Sequence, residues 1–263
     1  MPDRTILDTI LWHKRDEVAA RRSQVPLETL QGRLADLPPT RDFAAALRHP
    51  ALSPTALIAE VKKASPSAGI IRADFDPVAI AKTYEDNGAS CLSVLTDARF
   101  FQGHEDYLQQ IRAAVSIPLL RKDFTVDSYQ ITEARAIGAD AILLIAAALT
   151  RPQMADYMAL AHSLGLTALV EVHTEEEMQV AADIQAPVIG INTRDLKSFV
   201  TDLGVFERLA PLAPAESVLV AESGLKTPAD VARVRAAGAH AILVGESLMR
   251  SPDIGAALRG LMQ

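Results

Sequence analysis

Short apolar runs recur along the chain at nearly regular intervals: 56–61, 91–95, 117–120, 141–146, 168–172, 188–191, 218–221 and 241–244. Several are apolar throughout rather than alternating, which is how strands covered on both faces read. Stretches of helical length separate them, and their starts are marked. Asp76-Pro77, Thr227-Pro228 and Ser251-Pro252 each set a capping residue before a proline suited to the first helical position. Thr150 with Gln153 and Thr174 with Glu177 have the spacing of a capping box. Gly88, Gly138 and Gly238 stand where helices should stop before the next strand. The word Gly-Ala-Asp-Ala-Ile-Leu at 138–143 returns as Gly-Ala-His-Ala-Ile-Leu at 238–243, each time closing a helix and entering a strand. Eight strand–helix units with an internal echo predict a closed α/β architecture, a (β/α)8 TIM barrel, over an open doubly wound sheet.

Ahead of the first strand, Ile6, Leu7, Ile10, Leu11, Trp12 and Val18 fall at helical spacing and predict a helix over 6–21. A second short helix is expected over 43–47. Residues 1–50 therefore read as an N-terminal helical extension packed on the barrel, within one domain spanning 1–263. Trp12 is expected to anchor that extension.

Composition narrows the class. A net charge of -7 argues against a general nucleic-acid binder, which needs a basic stripe. The longest apolar run, 141–149, is far below the ~18 residues of a membrane span. Met1-Pro2-Asp3-Arg4 carries no apolar signal core, so a cytoplasmic location is expected. The single cysteine, Cys91, excludes a disulfide framework and a cysteine-ligated metal, and reads as a core thiol. No two of the six histidines have ligand spacing, so no metal is expected. The sequence leaves the oligomeric state open and is compatible with a monomer.

In such a barrel, residues at the carboxyl ends of the strands converge on one rim. The first strand ends Glu60-Val61-Lys62-Lys63, and alternation turns Glu60 and Lys62 toward the mouth. The third ends Arg121-Lys122-Asp123, the fifth Glu171-Val172-His173, the sixth Asn192-Thr193-Arg194 and the seventh Glu222-Ser223-Gly224. Lysine and glutamate avoid doubly covered strands. Five of them on one rim (Glu60, Lys62, Lys122, Glu171 and Glu222) weigh more toward a reactive site than toward a structural ion-pair network. After strands seven and eight, Gly224 and Gly245 let backbone N–H groups approach an anion, and a short helix from Glu246 would aim its positive end there. The loop 62–75 is long enough to be a lid. Phe101, and less so Phe100, suit stacking on an aromatic substrate. His173 follows the fifth strand on the rim, where a catalytic base could stand, but reads as loop surface, since Glu171 already serves there; His240 reads as structural.

Residues 58–67, Ile-Ala-Glu-Val-Lys-Lys-Ala-Ser-Pro-Ser, resemble the signature segment of the indole-3-glycerol-phosphate synthase family. Further matching words follow in order at 92–96, 100–103, 120–124, 169–172, 189–196, 220–224 and 243–249. The resemblance covers essentially the whole chain, with no second barrel fused. It implies conversion of 1-(2-carboxyphenylamino)-1-deoxyribulose 5-phosphate, a small phosphorylated aromatic amino-sugar, into indole-3-glycerol phosphate, carbon dioxide and water. No cofactor is implied, because the substrate's own ring and carbonyl serve as the electron sink. The ring carbon bearing the carboxylate attacks the C2′ carbonyl, and an acid must protonate that oxygen. Lys122 matches the family's general acid, Glu171 its proposed general base and Glu60 a supporting carboxylate. Lys62 matches a contact to the substrate's anionic groups, and which lysine serves which step stays open. Asn192, Glu222 and Ser223 match residues that orient the sugar chain and the acid. Arg194 with Ser65 would hold the lid or the carboxylate. Gly224, Gly245 and Glu246 match the phosphate cradle, although some relatives carry serine at the last. Phe101, Phe124, Leu143, Leu196 and Leu243 would wall the anthranilate ring.

Two rivals remain. One is another phosphate-binding barrel enzyme, such as phosphoribosylanthranilate isomerase or the tryptophan synthase α subunit; the isomerase's chemistry resembles an acid–base pair of cysteine and aspartate on strands one and six, where Glu60 and Asn192 stand here. A catalytically silent phosphosugar-binding barrel is opposed by the set Lys122, Glu171 and Glu60.

Overall fold

A computed structural model of the chain describes residues 5–51, 53–195 and 199–263. Its centre is a closed parallel barrel of β1 Ala56–Val61, β2 Cys91–Leu95, β3 Leu119–Lys122, β4 Ala141–Ile145, β5 Thr167–Val172, β6 Val188–Asn192, β7 Val218–Glu222 and β8 Ala241–Val244. The ring closes where β1 pairs with β8, from Ala56 opposite Ala241 to Ala59 opposite Val244. Closure leaves no unpaired edge strand. The strands read as apolar throughout because both faces are covered. Ile58, Cys91, Leu120, Leu143, Leu169, Val220 and Leu243 fill the inside. Leu57, Val94, Leu119, Ile142, Val170 and Ile189 pack outward against the helices.

The internal echo is also a structural one. Asp140 and His240 enter β4 and β8 at equivalent places. Each donates its N–H to the preceding strand, to the carbonyls of Leu119 (2.8 Å) and Leu219 (2.9 Å). Each side chain then accepts from the same residue's N–H, at Asp140 Oδ2 (2.9 Å) and His240 Nδ1 (3.1 Å). His240 is thus structural, as expected.

Most helix starts fall where the caps predict. Asp76, Thr150, Thr174 and Thr227 each accept from a first-turn N–H. Ser251-Pro252 differs: the last helix begins at Ile254, capped by Asp253. The third strand begins at Leu119 rather than 117, just after Pro118, which has no N–H to give a ladder.

The N-terminal extension comprises α1 Ile6–Gln24, α2 Leu27–Leu34 and α3 Phe43–Arg48. The sequence pattern missed α2 because Leu30 is its one buried residue, too little for a periodic signal. Phe43 and Leu47 of α3 are fully buried one turn apart and stopper the barrel base against Ile58, Cys91, Leu120, Val188 and Val218. Trp12 does not anchor α1, since it is 55% exposed. Ile10, Leu11 and Val18 bury the apolar side of that helix, and charge adds a second hold. Lys14 is 1% exposed, with Nζ 2.9 Å from Asp97, 2.9 Å from Asp123 and 3.0 Å from Glu17. Arg21 joins Glu105 and Glu133, which also hold Arg121 from the outer face of β3. The reason is position: Asp97 and Asp123 follow β2 and β3, so the polar side of this helix meets the polar rim.

Among the described residues, no helix is long and apolar enough to cross a membrane.

Lys14→Ala leaves Asp97 buried without its cation and Asp123 with only Arg121, at 3.7 Å. It is expected to lower the unfolding free energy by about 3–5 kcal/mol, read from the urea midpoint at unchanged slope. A loss below about 1 kcal/mol would show that the cluster does not tie the helix down.

Candidate active site

The upper layer inside the barrel comes from the odd strands, as alternate-strand packing requires. Glu60 of β1, Lys122 of β3, Glu171 of β5 and Glu222 of β7 all turn inward above the apolar filling. Two glycines on the even strands make room. A methyl group on Gly190 of β6 would run into the Glu222 carboxylate, and one on Gly245 after β8 into Glu60.

Lys122 Nζ donates to Glu171 Oε2 at 2.9 Å and to Glu222 Oε2 at 3.1 Å. Lys62 Nζ donates to Glu60 Oε1 at 2.6 Å, and Ser93 Oγ to Glu60 Oε2 at 3.3 Å. Asn192 Nδ2 donates to Glu171 Oε1 at 3.2 Å and is itself held by the Arg194 N–H on its Oδ1 at 3.1 Å.

These contacts push the acids apart. Burial raises the pKa of Glu171, but the Lys122 ammonium and then His173 more than reverse it, to about 2. Burial also raises Glu222; Lys122 opposes this, while the Glu171 and Glu60 charges add to it, and its pKa reaches about 7. The difference lies in the partners. Glu171 has Asn192 and His173 besides Lys122, whereas Glu222 Oε1 is buried with no hydrogen-bond partner. Burial lowers Lys122, yet Glu171, Glu222 and Glu60 together hold it above the ordinary lysine range. Glu60 stays below the usual carboxylate value despite its burial, through Lys62 and Lys122.

Two adjoining cavities open on this layer. The smaller, about 190 Å³, has Lys122, Glu171 and Glu222 on its floor and Leu7, Phe101, Phe124, Leu143 and Ile145 among its walls. The Phe101 and Phe124 rings lie 6.0 Å apart. The larger, about 550 Å³, is lined by Gly224, Lys226, Gly245, Glu246, Ser247 and Arg250. Glu60, Lys62, Arg194, Ser223 and Leu243 line both. Ser223 and Gly224 are both left-handed, with φ of 68° and 76°, and Ser223 carries the strain of that turn. The Glu246 carboxylate faces Arg250 at 3.0 Å and Arg194 at 3.8 Å, so two guanidinium groups offset its charge.

Of the described residues singled out from the sequence for this site, all but Ser65 and Phe100 line one or both cavities. Ser65 lies in the hairpin Ala64–Ser65 and Gly69–Ile70, its Oγ accepting from the Ala68 N–H at 3.3 Å, and lines neither cavity. Leu196 falls outside the described residues. His173 is not loop surface: its side chain is 13% exposed and its Nε2 lies 3.5 Å from Glu171 Oε1. Glu177 causes this. Its carboxylate accepts the His173 N–H at 2.7 Å, one residue before the expected capping-box partner, and draws the ring inward. Phe100 lines neither cavity and packs edge-on to His13 at 5.8 Å. The sequence reading missed Ser93 and Leu7. Ser93 alternates in phase with Cys91, a signal for an inward polar group, while Leu7 carried no signal of a site.

The sequence model of the family described as Indole-3-glycerol phosphate synthase matches residues 7–261. The chain belongs to the indole-3-glycerol phosphate synthase family. Proteins of that name from Roseiflexus sp. (strain RS-1) and Roseiflexus castenholzii (strain DSM 13941 / HLO8) are 54% and 52% identical to it over 265 residues, covering 98% of each chain. The chain is therefore an enzyme, a decarboxylating carbon–carbon lyase of tryptophan biosynthesis. Two solved structures of low sequence identity share the fold alone. The N-acetylmannosamine-6-phosphate 2-epimerase of Clostridium perfringens has a TM-score of 0.61 at 13% identity, covering 79% of this chain and 90% of its own. A 3-hexulose-6-phosphate synthase has a TM-score of 0.63 at 14% identity, covering 79% and 98%.

Glu222 provides a test of the charge layout. Its folded pKa of about 7 lies above its ordinary 4.5. Folding favours the protonated form, so the contribution is full below about pH 4.5 and is lost as pH rises through 7. Glu222→Gln cannot titrate. Its unfolding free energy relative to wild type is expected to gain on the order of 2–3 kcal/mol between about pH 4.5 and pH 8. A flat difference across that range would remove the proton from Glu222.

Proposed function

We propose that the chain closes the indole ring of indole-3-glycerol phosphate, with 1-(2-carboxyphenylamino)-1-deoxyribulose 5-phosphate as substrate and carbon dioxide and water released. One observation carries this reading: Lys122 and Glu171 meet at 2.9 Å on the floor of an aromatic-walled cavity that continues into a basic cradle. Family membership supports it. The phosphate sits in the larger cavity, on the N–H groups of Gly224, Gly245 and Glu246, with Lys226 and Arg250 near. The sugar chain passes the residues common to both cavities, Ser223 among them. The anthranilate ring lies against Phe101, Phe124, Leu143 and Leu243, with its carboxylate toward Lys62 and Arg194.

Lys122 protonates the C2′ oxygen as the ring carbon attacks. Its raised basicity keeps the proton in place in the free enzyme. A developing alkoxide is a stronger base still, so transfer follows charge development in the transition state. Carbon dioxide then leaves, the hydroxyl departs as water, and ionised Glu171 takes the proton lost from C1′. Asn192 fixes the Glu171 carboxylate, and Glu222 holds Lys122 from the other side. Glu60 keeps the Lys62 ammonium at the junction of the cavities. The loop 62–75 closes as a lid and brings Ser65 to Arg194. Its Arg72 Nη1 already donates to the carbonyls of Met249 (3.2 Å) and Ser251 (3.0 Å) beyond β8. The phosphorylated, charged substrate and product favour a cytoplasmic location.

Lys122→Ala is expected to lower kcat by about 10²–10⁴, followed by the fluorescence of the indole formed. A near-wild-type rate would overturn the acid role and leave the family untouched. The C2′ alcohol of the substrate, which cannot cyclise, is expected to protect 62–75 from limited proteolysis. Unchanged cleavage at saturation would remove the lid.

A further inference from the structure

Ring closure by this route makes an uneven demand for protons. The C2′ oxygen takes one proton to become a hydroxyl and a second to leave as water. Only afterwards does C1′ give one back. Lys122 supplies the first. The second is needed while substrate fills the mouth and before Glu171 has received anything, and Glu222, in contact with Lys122 at 3.1 Å, carries a proton in only part of the molecules at neutral pH because its pKa is about 7.

His173 is placed to hold it. Its ring lies between two carboxylates on different elements, with Nε2 3.5 Å from Glu171 Oε1 and Nδ1 3.3 Å from Glu177 Oε2. Nε2 is buried and has no hydrogen-bond partner other than that approach to Glu171. Glu177 is itself fixed: it caps the His173 N–H, and its own N–H rests on Thr174 Oγ1 at 3.2 Å. A separate cavity of about 380 Å³ lies behind, lined by His173, Glu177, Thr174, Asp202 and Asn192, so Glu177 borders that space rather than the floor around Glu171. Burial lowers the pKa of the imidazole, but Glu177 and Glu171, with Glu222 farther off, hold it above its ordinary value.

We propose that His173 is the reservoir of the second proton, delivered through Glu171 to Lys122, with Glu177 clamping its far nitrogen. This rests on the reading of Lys122 and Glu171 given above. The transfers balance. The Lys122 N–H breaks as the C2′ O–H forms. The His173 Nε2–H breaks as an O–H forms on Glu171 Oε1; the carboxyl group turns about its Cγ–Cδ bond to carry that O–H to the Lys122 side, where it breaks to restore the Lys122 N–H. Lys122 then protonates the departing hydroxyl. Glu171, ionised again, takes the C1′ proton and returns it to Nε2. His173 ends as it began, and Lys122 recovers one proton from solvent once product has left. Nothing is oxidised or reduced, and the ring need not flip.

The test is timing. His173→Gln keeps a polar amide in place and removes the stored proton. It is expected to lower kcat for indole by ~10²-fold with KM within about two-fold. In a single turnover, carbon dioxide is expected at nearly the wild-type rate, with indole lagging behind it. Glu177→Gln, outside the mouth, is expected to fold like wild type and to move the alkaline fall of kcat to lower pH. Carbon dioxide and indole released in step from His173→Gln, whether fast or equally slowed, would overturn the reservoir. Glu171→Gln separates the two readings. If it is inactive while His173→Gln keeps step, only the reservoir fails; if it makes indole at the wild-type rate, the base assignment fails and the reservoir with it.

Discussion

The half-buried Lys122 ammonium holds the mouth of this barrel in order. Lys122 lies between Glu171 and Glu222, with Glu60 close enough to be felt. Without it, carboxylates carried by neighbouring odd strands would face one another in a poorly solvated space. Like charges about 4 Å apart repel by roughly 4 kcal/mol at the dielectric of a protein surface. Buried ion pairs seldom repay their desolvation, so this cluster is weak as a stability device. Its worth lies in chemistry, and the barrel makes steric room for it. Gly190 and Gly245 leave empty the volumes that the Glu222 and Glu60 carboxylates occupy.

The same ammonium touches two glutamates and leaves them in different states. Environment decides between them, as it does wherever one fold needs both an acid and a base. Glu171 is backed by Asn192 and by His173, which in turn rests on Glu177. Glu222 has only Lys122 on one oxygen and nothing on the other. One carboxylate is thus held ionised, and the other titrates near neutrality. The asymmetry is built by groups behind the layer, since the layer itself is nearly symmetric about Lys122.

Legibility followed the range of the interaction. The barrel was readable because its signals are local: caps, helix-ending glycines and apolar runs each need only a few neighbours in sequence. The echo at 138–143 and 238–243 even marks two sites with the same backbone bonding. The rim residues were readable because strand alternation and barrel topology together fix where Glu60, Lys122, Glu171 and Glu222 point. What stayed hidden depends on partners far along the chain. Lys14 looks like any helix-surface lysine until Asp97 and Asp123 are brought over it, and for that reason Trp12 was given its role. His173 looked like loop surface because nothing in the sequence says that Glu177 will cap one residue early. Ser65 is taken up by its own hairpin, its Oγ accepting from the Ala68 N–H, a local pairing that spacing does not encode.

The extension and the site meet at one point, and this explains why α1 crosses the rim at all. Asp97 caps the one-turn helix Ala98–Phe101 through the Phe100 N–H at 2.7 Å, and Asp123 accepts the Phe124 N–H at 2.8 Å. Lys14 binds both carboxylates. It therefore ties together the two loops that present Phe101 and Phe124, while Leu7, two turns earlier on the same helix, joins them on the cavity wall. Ile10, Leu11 and Val18 supply the apolar contact of this helix, which by itself does not fix where its polar side stands. The charged contact does, because it binds the rim loops that carry the aromatic wall above the Lys122 layer.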